Sequence, residues 1–294
     1  MNTLDWRAWR DRLLLQEDLN FLLTNRIPRL AATRFMRRFS KVEQPWVRDA
    51  SIALWRACCD VDLSDARKPR FDSLHDAFIR ELRPGARPFV DDPQVLASPC
   101  DAQVGACGPV AGLEVWQAKG YPYRVEELFG DAARAAPFRD GCFATLRLTA
   151  GMYHRFHAPA DLVVRRVTHL SGDTWNVNPI ALRRVERLFC RNERAALHAE
   201  LGGSGLPLAI VPVAAILVAS LRLHCLDLTL NIDHPGPHTF DCEAPHARGQ
   251  EMGWFEHGST VIVFAPKGVM LAPGIAPGRL LRAGEPLMLL PESP

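Results

Sequence analysis

The chain has 294 residues, 48% of them hydrophobic and 23% charged, which is the composition of an ordinary globular protein with one large domain or two small ones. Its formal net charge of +2 provides no strong field for nucleic acid, so no nucleic-acid partner is expected. Eight cysteines without a CxxC pair or zinc-finger spacing predict reduced thiols and no metal site.

The first sixty residues have the pattern of helices. Trp6, Trp9 and Leu13 recur at helical spacing, and Pro28 suits the first turn of a later helix. Beyond Pro28 an apolar stripe runs beside a basic one, and the two consist of Ala32, Phe35 and Phe39 on one side and Arg34, Arg38 and Lys41 on the other. Such a helix either lies in a bilayer interface, where anionic lipids attract the basic side chains, or packs on its own domain with a solvated basic face.

A second helical pattern covers residues 71–82, and Pro84 and Gly85 end it. The residue pattern changes beyond this point. Short runs of Val, Leu and Ile then alternate with Gly, Pro and Asp, as in VLASP, FATLRL, LVVRRVTHL and VIVF. Residues 206–221 are uncharged but contain two prolines and fall short of the ~20 residues of a spanning helix, so they predict buried strands. The expected fold class is therefore α+β, with N-terminal amphipathic helices followed by a β-rich body.

Two segments carry candidate acid and base groups. In MYHRFHAPAD, His154 and His157 could bind a metal, form a structural pair, or act as a general base with a second proton donor. The strand-like surroundings, Pro159 and the lack of a nearby third ligand disfavour the metal. In SPCDAQV, Asp101 is either a turn aspartate or a group that orients a histidine and stabilises its imidazolium.

Two further segments carry other chemistry. In GQEMGWFEHGSTVIVFAP, Ser259 follows Gly258 just before a predicted strand, which is either a plain Gly-Ser turn or a nucleophile that needs a neighbouring base. Residues 176–194 are rich in Asn and Arg, and they could hold a phosphate or carboxylate or form a surface helix with Arg–Glu pairs.

Taken in this order, the segments resemble the phosphatidylserine decarboxylase family. The resemblance covers most of residues 60–290, and it is carried by long ordered motifs, namely DVDLSDA, LHDAFIRELRPGARPF, SPCD, WQAKGYPY, YHRFHAP, VNP, LFCRNER, GQEMGWFEHGSTVIVFAP and RAGEPLMLL. The first sixty residues are similar to the family in character only. This division implies a helical membrane-docking region over residues 1–60 and a catalytic domain over residues 61–294.

The resemblance implies a self-cleaving proenzyme. Ser259 matches the serine that attacks Gly258 and becomes a covalent pyruvoyl cofactor, which leaves a β chain of residues 1–258 paired with an α chain of residues 259–294. Asp101 and His157 match the other members of a serine-protease-like triad. His154 matches a histidine of the decarboxylation step, in which the pyruvoyl group forms a Schiff base with phosphatidylserine and phosphatidylethanolamine is released.

The implied partners are phosphatidylserine and an anionic membrane surface, with the protein peripheral on the cytoplasmic side of the cell membrane. This favours membrane docking for the basic helices.

Two positions depart from the family pattern, since Ala102 follows Asp101 where glycine is usual and His257 precedes Gly258 where leucine or valine is common. The alternatives are a decarboxylase of a diether serine lipid, an inactive relative that binds anionic lipid, and a hydrolase, although the GxSxG motif of many hydrolases is absent.

Overall fold

The computed structural model of the chain describes residues 16–118, 121–217, 220–226, 228–231, 233, 236–256 and 259–291. The predicted helical pattern of Trp6, Trp9 and Leu13 lies outside these residues, and so do His257 and Gly258. Over the described residues, helices come first and a sheet-rich body follows, which confirms the α+β class.

Three longer helices precede five short ones in the described part of the chain. Pro45 occupies the first turn of the third helix, where a missing N–H has no cost, and Asp60 ends that helix in the left-handed conformation. In chain order the helices are Glu17–Asn25 (α1), Arg29–Phe39 (α2), Pro45–Cys59 (α3), Leu74–Phe78 (α4), Val125–Phe129 (α5), Ala132–Ala135 (α6), Pro179–Leu182 (α7) and Leu188–Arg191 (α8).

The helix predicted over residues 71–82 is wrong in its length, because only α4 forms there. The Ser73 side chain caps the first turn of α4 by accepting a hydrogen bond from a backbone N–H. Three residues after α4 ends, the carbonyl of Glu81 accepts a hydrogen bond from the backbone N–H of Arg67 at 2.8 Å. The backbone beyond α4 therefore finds its partners in the preceding loop instead of continuing the helix.

The strands of the described residues make four antiparallel sheets. In chain order the strands are Val95–Ala97 (β1), Ala102–Pro109 (β2), Glu114–Ala118 (β3), Tyr121–Arg124 (β4), Cys142–Leu148 (β5), Arg155–His157 (β6), Leu162–Leu170 (β7), Arg194–Leu201 (β8), Pro207–Ala214 (β9), Ser220–Leu223 (β10), Leu228–Asn231 (β11), His238–His246 (β12), Glu251–Phe255 (β13), Ser259–Ala265 (β14), Met270–Leu271 (β15), Leu280–Leu281 (β16) and Pro286–Leu289 (β17). The main sheet has the order β12-β7-β8-β9-β14-β5-β2-β16, and the smaller sheets are β11-β10-β13-β6, β1-β17-β15 and β3-β4.

The central strands of the main sheet are covered on both faces. Along β14, Val261 and Val263 pack into one apolar cluster with β6 and β13, whereas Ile262 and Phe264 pack into another with α5 and α8. This explains why VIVF is apolar without alternation, as is usual for a strand buried on both sides. The run over residues 206–221 likewise supplies β9 and the start of β10, which confirms the predicted buried strands. No helix within the described ranges is long and apolar enough to cross a membrane.

Candidate active site

The site is built around the point where β14 begins. Ser259 is the first residue of this central strand, and its register partners are Leu148, the last residue of β5, and Ala214, the last residue of β9. Two strands thus end where β14 starts, and we call this place the Ser259 end of the main sheet. The Gly258–Ser259 peptide bond belongs to this end by chain connection alone, since the described residues resume at Ser259.

His157 ends β6 and uses both ring nitrogens in hydrogen bonds. Its Nδ1 lies 2.9 Å from the carbonyl oxygen of Gly249, and its Nε2 lies 2.9 Å from the hydroxyl of Tyr153. Because a carbonyl can only accept, Nδ1 carries the hydrogen and Nε2 accepts from the Tyr153 hydroxyl. Burial lowers the pKa of His157 below its ordinary value, although the hydrogen bond to the Gly249 carbonyl and the charge of Glu251 act to raise it. The neutral ring therefore presents a lone pair on Nε2, which is the form a general base requires.

Asp101 does not hold His157 as the sequence led us to expect. The Asp101 carboxylate accepts two hydrogen bonds from the Arg87 guanidinium, at 2.8 Å from Nε and 2.7 Å from Nη2, and a third from the backbone N–H of Ala283 at 2.9 Å. No hydrogen bond joins Asp101 to His157 in the described residues, because the guanidinium matches the carboxylate with two charge-assisted bonds. The Gly249 carbonyl fixes the tautomer instead, and the Asp101 charge still opposes the burial that lowers the pKa of His157.

His154 lies in a different setting from His157, although only three residues separate them. Its side chain is completely buried, with its ring centroid 4.1 Å from that of Phe78. Nδ1 donates to the carbonyl of Met152 at 2.8 Å, and Nε2 has no partner among the described residues. Burial lowers the pKa of His154 to about 3, so the ring is neutral and Nε2 is bare. In this state His154 can accept a proton at Nε2 but has none there to donate.

A polar side of the site is formed by two cavities, of which the second reaches the Ser259 end. One, of about 350 Å³, is lined by His157 and Tyr153 together with Arg87 and Glu251. The other, of about 750 Å³, is lined by Asp101 and by residues 149–152, which directly follow β5. Both candidate triad residues therefore border open space, and one of the two cavities adjoins the strand that pairs with Ser259.

An apolar side of the same end is formed by a cavity of about 770 Å³ between the sheet and the N-terminal helices. Its floor is the last residue of β5 and the residues that follow β5 and β9, and its walls come from α2, α3, α4 and the loop before α7. Its lining side chains include Met36, Phe39, Trp46, Leu54, Trp55, Phe78, Arg147, Leu148 and Leu217. Since Phe78 lines this cavity, His154 lies directly behind its wall.

The helices beside this cavity expose large apolar side chains but anchor most of their basic stripe. Phe35 is 66% exposed and Trp46 is 73% exposed. Arg34 and Arg37 both pair with Asp233, at 3.2 and 2.6 Å, and Lys41 pairs with Glu256 at 3.3 Å. Within the described residues Arg38 has no carboxylate partner. The stripe thus binds α2 to its own domain, while the aromatic side chains face outward.

The Asn- and Arg-rich segment does not form one continuous surface helix, which was one of its two possible interpretations. It folds into the short helices α7 and α8, and Arg194 at its end is buried. The Arg194 guanidinium donates to the carbonyls of Leu128, Cys190, Asn192 and Glu127 at 2.6 to 2.9 Å. Since carbonyls satisfy its donors, Arg194 is a structural residue and binds no phosphate or carboxylate. The described residues also contain no group of three or more His, Cys, Asp or Glu side chains placed to hold a metal.

Sequence reasoning missed three residues of the site. Tyr153 lies inside YHRFH and Arg87 lies inside LRPGARPF, but neither motif indicates the role of these two side chains. The contact of the third, Gly249, with His157 joins positions 92 residues apart, and no sequence spacing predicts it.

Comparison with known proteins gives a consistent result. The sequence model of the family described as phosphatidylserine decarboxylase matches residues 74–289. A phosphatidylserine decarboxylase proenzyme of Aliivibrio salmonicida is 34% identical over 285 residues, which cover 92% of this chain and 98% of that protein. A proenzyme of the same name from Halorhodospira halophila is 36% identical and covers 98% of this chain and 97% of its own, and one from Acidovorax ebreus is 37% identical over 88% and 93%.

Proposed function

The chain belongs to the phosphatidylserine decarboxylase family, and we propose that it removes the carboxylate of phosphatidylserine with a pyruvoyl group made from its own Ser259. In this function it is a carboxy-lyase of phospholipid biosynthesis that is made as a zymogen. The observation that carries the proposal is the state of His157, whose protonated Nδ1 points at the Gly249 carbonyl and whose Nε2 carries a lone pair that becomes available as a base once the Tyr153 hydroxyl releases it.

Self-cleavage would begin when His157 takes the hydroxyl proton of Ser259 at Nε2. The alkoxide attacks the carbonyl carbon of Gly258, and the peptide nitrogen leaves, so that the peptide bond becomes an ester on the serine oxygen. Elimination across the Cα–Cβ bond of residue 259 then frees the Gly258 carboxylate and leaves dehydroalanine at the new N-terminus. Tautomerisation and hydrolysis with one water release ammonia and leave the pyruvoyl group.

Tyr153 and Asp101 would act on this base from two directions. The Tyr153 hydroxyl holds the Nε2 lone pair of His157 and must release it before Ser259 can use it. Asp101 lacks a hydrogen bond to the ring but contributes a negative charge that favours the imidazolium formed during the reaction. Arg87 fixes the position of that charge through its two-pronged contact with the carboxylate.

The described residues at the Ser259 end suit a carbonyl cofactor formed on this strand. Strand β14 is held on both sides, so its first residue has a fixed position, and an apolar cavity lies directly beside it. A pyruvoyl group there would supply the carbonyl that captures the substrate amine and the electron-withdrawing amide that accepts the electrons of the departing carboxylate. His154, with its bare Nε2 in dry surroundings, would take up a proton and pass it on at the substrate carbon.

The lipid would reach the site from a membrane surface on the side of α2 and α3. Exposed Phe35 and Trp46 suit insertion at the level of the headgroups, and the cavity of about 770 Å³ leads from these helices towards the Ser259 end. This supports a peripheral position on the cytoplasmic face of the cell membrane, with residues 1–60 as the docking region. The two products of self-cleavage would stay together, because β14 would remain paired with β5 and β9.

An intact-mass measurement tests the proposal. The purified protein should consist of a chain ending at Gly258 and a chain that starts with a pyruvoyl group, while Ser259→Ala should stay whole and inactive. Thr260→Ser provides a matched control beside the cleavage site and should still be cut. An active preparation that remains a single chain with an intact Ser259 would contradict the proposal.

A further inference from the structure

Arg147 is a partly buried cation for which the described residues provide no carboxylate. It lies near the end of β5, and its hydrogen-bond partner is the side-chain oxygen of Gln103, which accepts from Nη2. Burial lowers the pKa of Arg147, and no acidic group opposes this effect. An arginine keeps its proton under all ordinary conditions, so a positive charge is held here at a cost to stability.

Two threonine hydroxyls near Arg147 lack hydrogen-bond partners among the described residues. Thr145 and Thr260 are 2% and 1% exposed, and the Oγ1 atom of each has no hydrogen-bond partner among the described residues. Buried hydroxyls are nearly always hydrogen-bonded, so two such groups beside a cation without a carboxylate partner call for an explanation. All three side chains, with Gln103, line one cavity of about 470 Å³.

The strand register brings these groups together. Gln103 of β2 is the register partner of Arg147 of β5, which is in turn the partner of Thr260 of β14. Thr145 precedes Arg147 by two residues, so it lies on the same face of the sheet. Thr260 directly follows Ser259 in β14, so this row of donors is one residue along the chain from the proposed cofactor, and it lies on the sheet face of Ile262 and Phe264.

We propose that Arg147, Thr145 and Thr260 form an oxyanion cradle that binds the phosphodiester of the lipid substrate. The inference rests on the proposed function, and it assigns a specificity role to residues that neither the motifs nor the proposed chemistry used. One guanidinium and two hydroxyls can donate to several oxygens of a phosphate group at once. Arg147 also lines the apolar cavity beside the Ser259 end, so the phosphate would lie where the acyl chains meet the headgroup.

The phosphate is a better occupant of the cradle than the serine carboxylate. A guanidinium paired with the carboxylate would stabilise the ground state and oppose the loss of carbon dioxide. Binding the phosphate holds a part of the substrate that does not react, so its energy positions the amine and carboxylate without raising the barrier.

The test compares Arg147→Gln with the wild-type protein and with Arg165→Gln, an exposed arginine of β7 that pairs with Glu200 and Glu243. Arg147→Gln should self-cleave normally, and its KM for detergent-dispersed phosphatidylserine should rise about ten- to a hundredfold while kcat changes little. Thr145→Val, which keeps the side-chain shape, should raise KM severalfold. Arg165→Gln should behave as wild type.

Inorganic phosphate and acetate, at equal ionic strength, distinguish the two possible anions. Phosphate should inhibit the wild-type protein and raise its melting temperature, with both effects lost in Arg147→Gln, whereas acetate should do neither. An unchanged KM, equal effects of the two anions, or an Arg147→Gln protein that fails to self-cleave would overturn the cradle. Failure of the wild-type protein to self-cleave would instead refute the proposed function.

Discussion

The two sides of the site place histidine in opposite settings. On the polar side, His157 has both nitrogens hydrogen-bonded and borders open cavities. On the apolar side, His154 is completely buried against Phe78, with one nitrogen bare. In both rings a carbonyl takes the Nδ1 hydrogen, so the difference lies in what faces Nε2. Both residues are of the same type, so access to a cavity and the hydrogen bond at Nε2 decide which histidine can act as a base in the resting protein.

The strongest test of this difference removes the base on the polar side. His157→Ala should slow self-cleavage by about a thousandfold, because general-base catalysis contributes roughly 10² to 10⁴ in rate. A time course of intact masses after synthesis measures the effect, with His238→Ala on β12 as a control that should mature normally. Normal maturation of His157→Ala would mean that another group is the base.

The next test removes the histidine on the apolar side. His154→Gln should still be cut into two chains, because the ring lines neither polar cavity, but its decarboxylase activity should fall about a hundredfold. Intact mass and product formation on the same preparation separate the two steps. If His154→Gln stayed uncut, the division of labour between the two sides would be wrong.

The apolar side can also be tested at the membrane. Phe35→Ser with Trp46→Ser should weaken binding to phosphatidylserine vesicles at least about tenfold, since a fully buried large apolar side chain contributes ~1.5–3 kcal/mol. Activity on detergent-dispersed lipid and self-cleavage should change much less. Met270→Ser, also at an exposed apolar position but in another sheet, is the matched control.

Charge reversal at this surface now has a narrower target. Arg34, Arg37 and Lys41 hold α2 on the body through Asp233 and Glu256, so reversing their charges would also disturb the fold. Arg38→Glu alone should weaken vesicle binding severalfold, at ~1 kcal/mol for each basic residue near an anionic surface, and more at low salt than at high salt. Co-sedimentation with vesicles across ionic strengths measures this, and salt-independent binding by both proteins would refute it.

A smaller effect should come from the hydroxyl that occupies the base on the polar side. Tyr153→Phe frees Nε2 of His157, so self-cleavage should become about two- to tenfold faster, the value of one hydrogen bond of ~0.5–1.5 kcal/mol. Slower cleavage would instead make Tyr153 a proton relay between Ser259 and His157. The same mass time course measures the outcome.

The burial of His154 on the apolar side should also appear in the pH dependence of stability. The pKa of His154 is about 3 in the folded protein, below the ordinary 6.5, so the unfolded chain binds more protons between these values. Stability should therefore fall as the pH drops from about 6.5 towards 3, by ~3 kcal/mol from this group at pH 4.5. Melting temperatures should fall less steeply with pH in His154→Gln, whereas His238→Gln should keep the wild-type slope.

Local sequence patterns predicted much of the fold because they report local physics. The stripe after Pro28 became α2, the proline-containing run over residues 206–221 became buried β9 and the start of β10, and VIVF became a central strand. The helix over residues 71–82 was overestimated, since its second half pairs with an earlier loop and not with itself. Pairing of this kind depends on a segment distant from the pattern, so periodicity cannot reveal it.

By itself the sequence determined the α+β class, the family and the identity of Asp101, His154, His157 and Ser259 as candidate site residues, because ordered motifs and residue chemistry are encoded along the chain. Only the tertiary structure decided which groups meet. In it the Asp101 carboxylate pairs with Arg87 rather than with His157, and the carbonyl of Gly249 accepts from the imidazole of His157. Arg147 lies beside two threonine hydroxyls that have no hydrogen-bond partner among the described residues. Each of these contacts joins different strands or loops, and competition among hydrogen-bond partners in a buried space is settled only when the chain is folded.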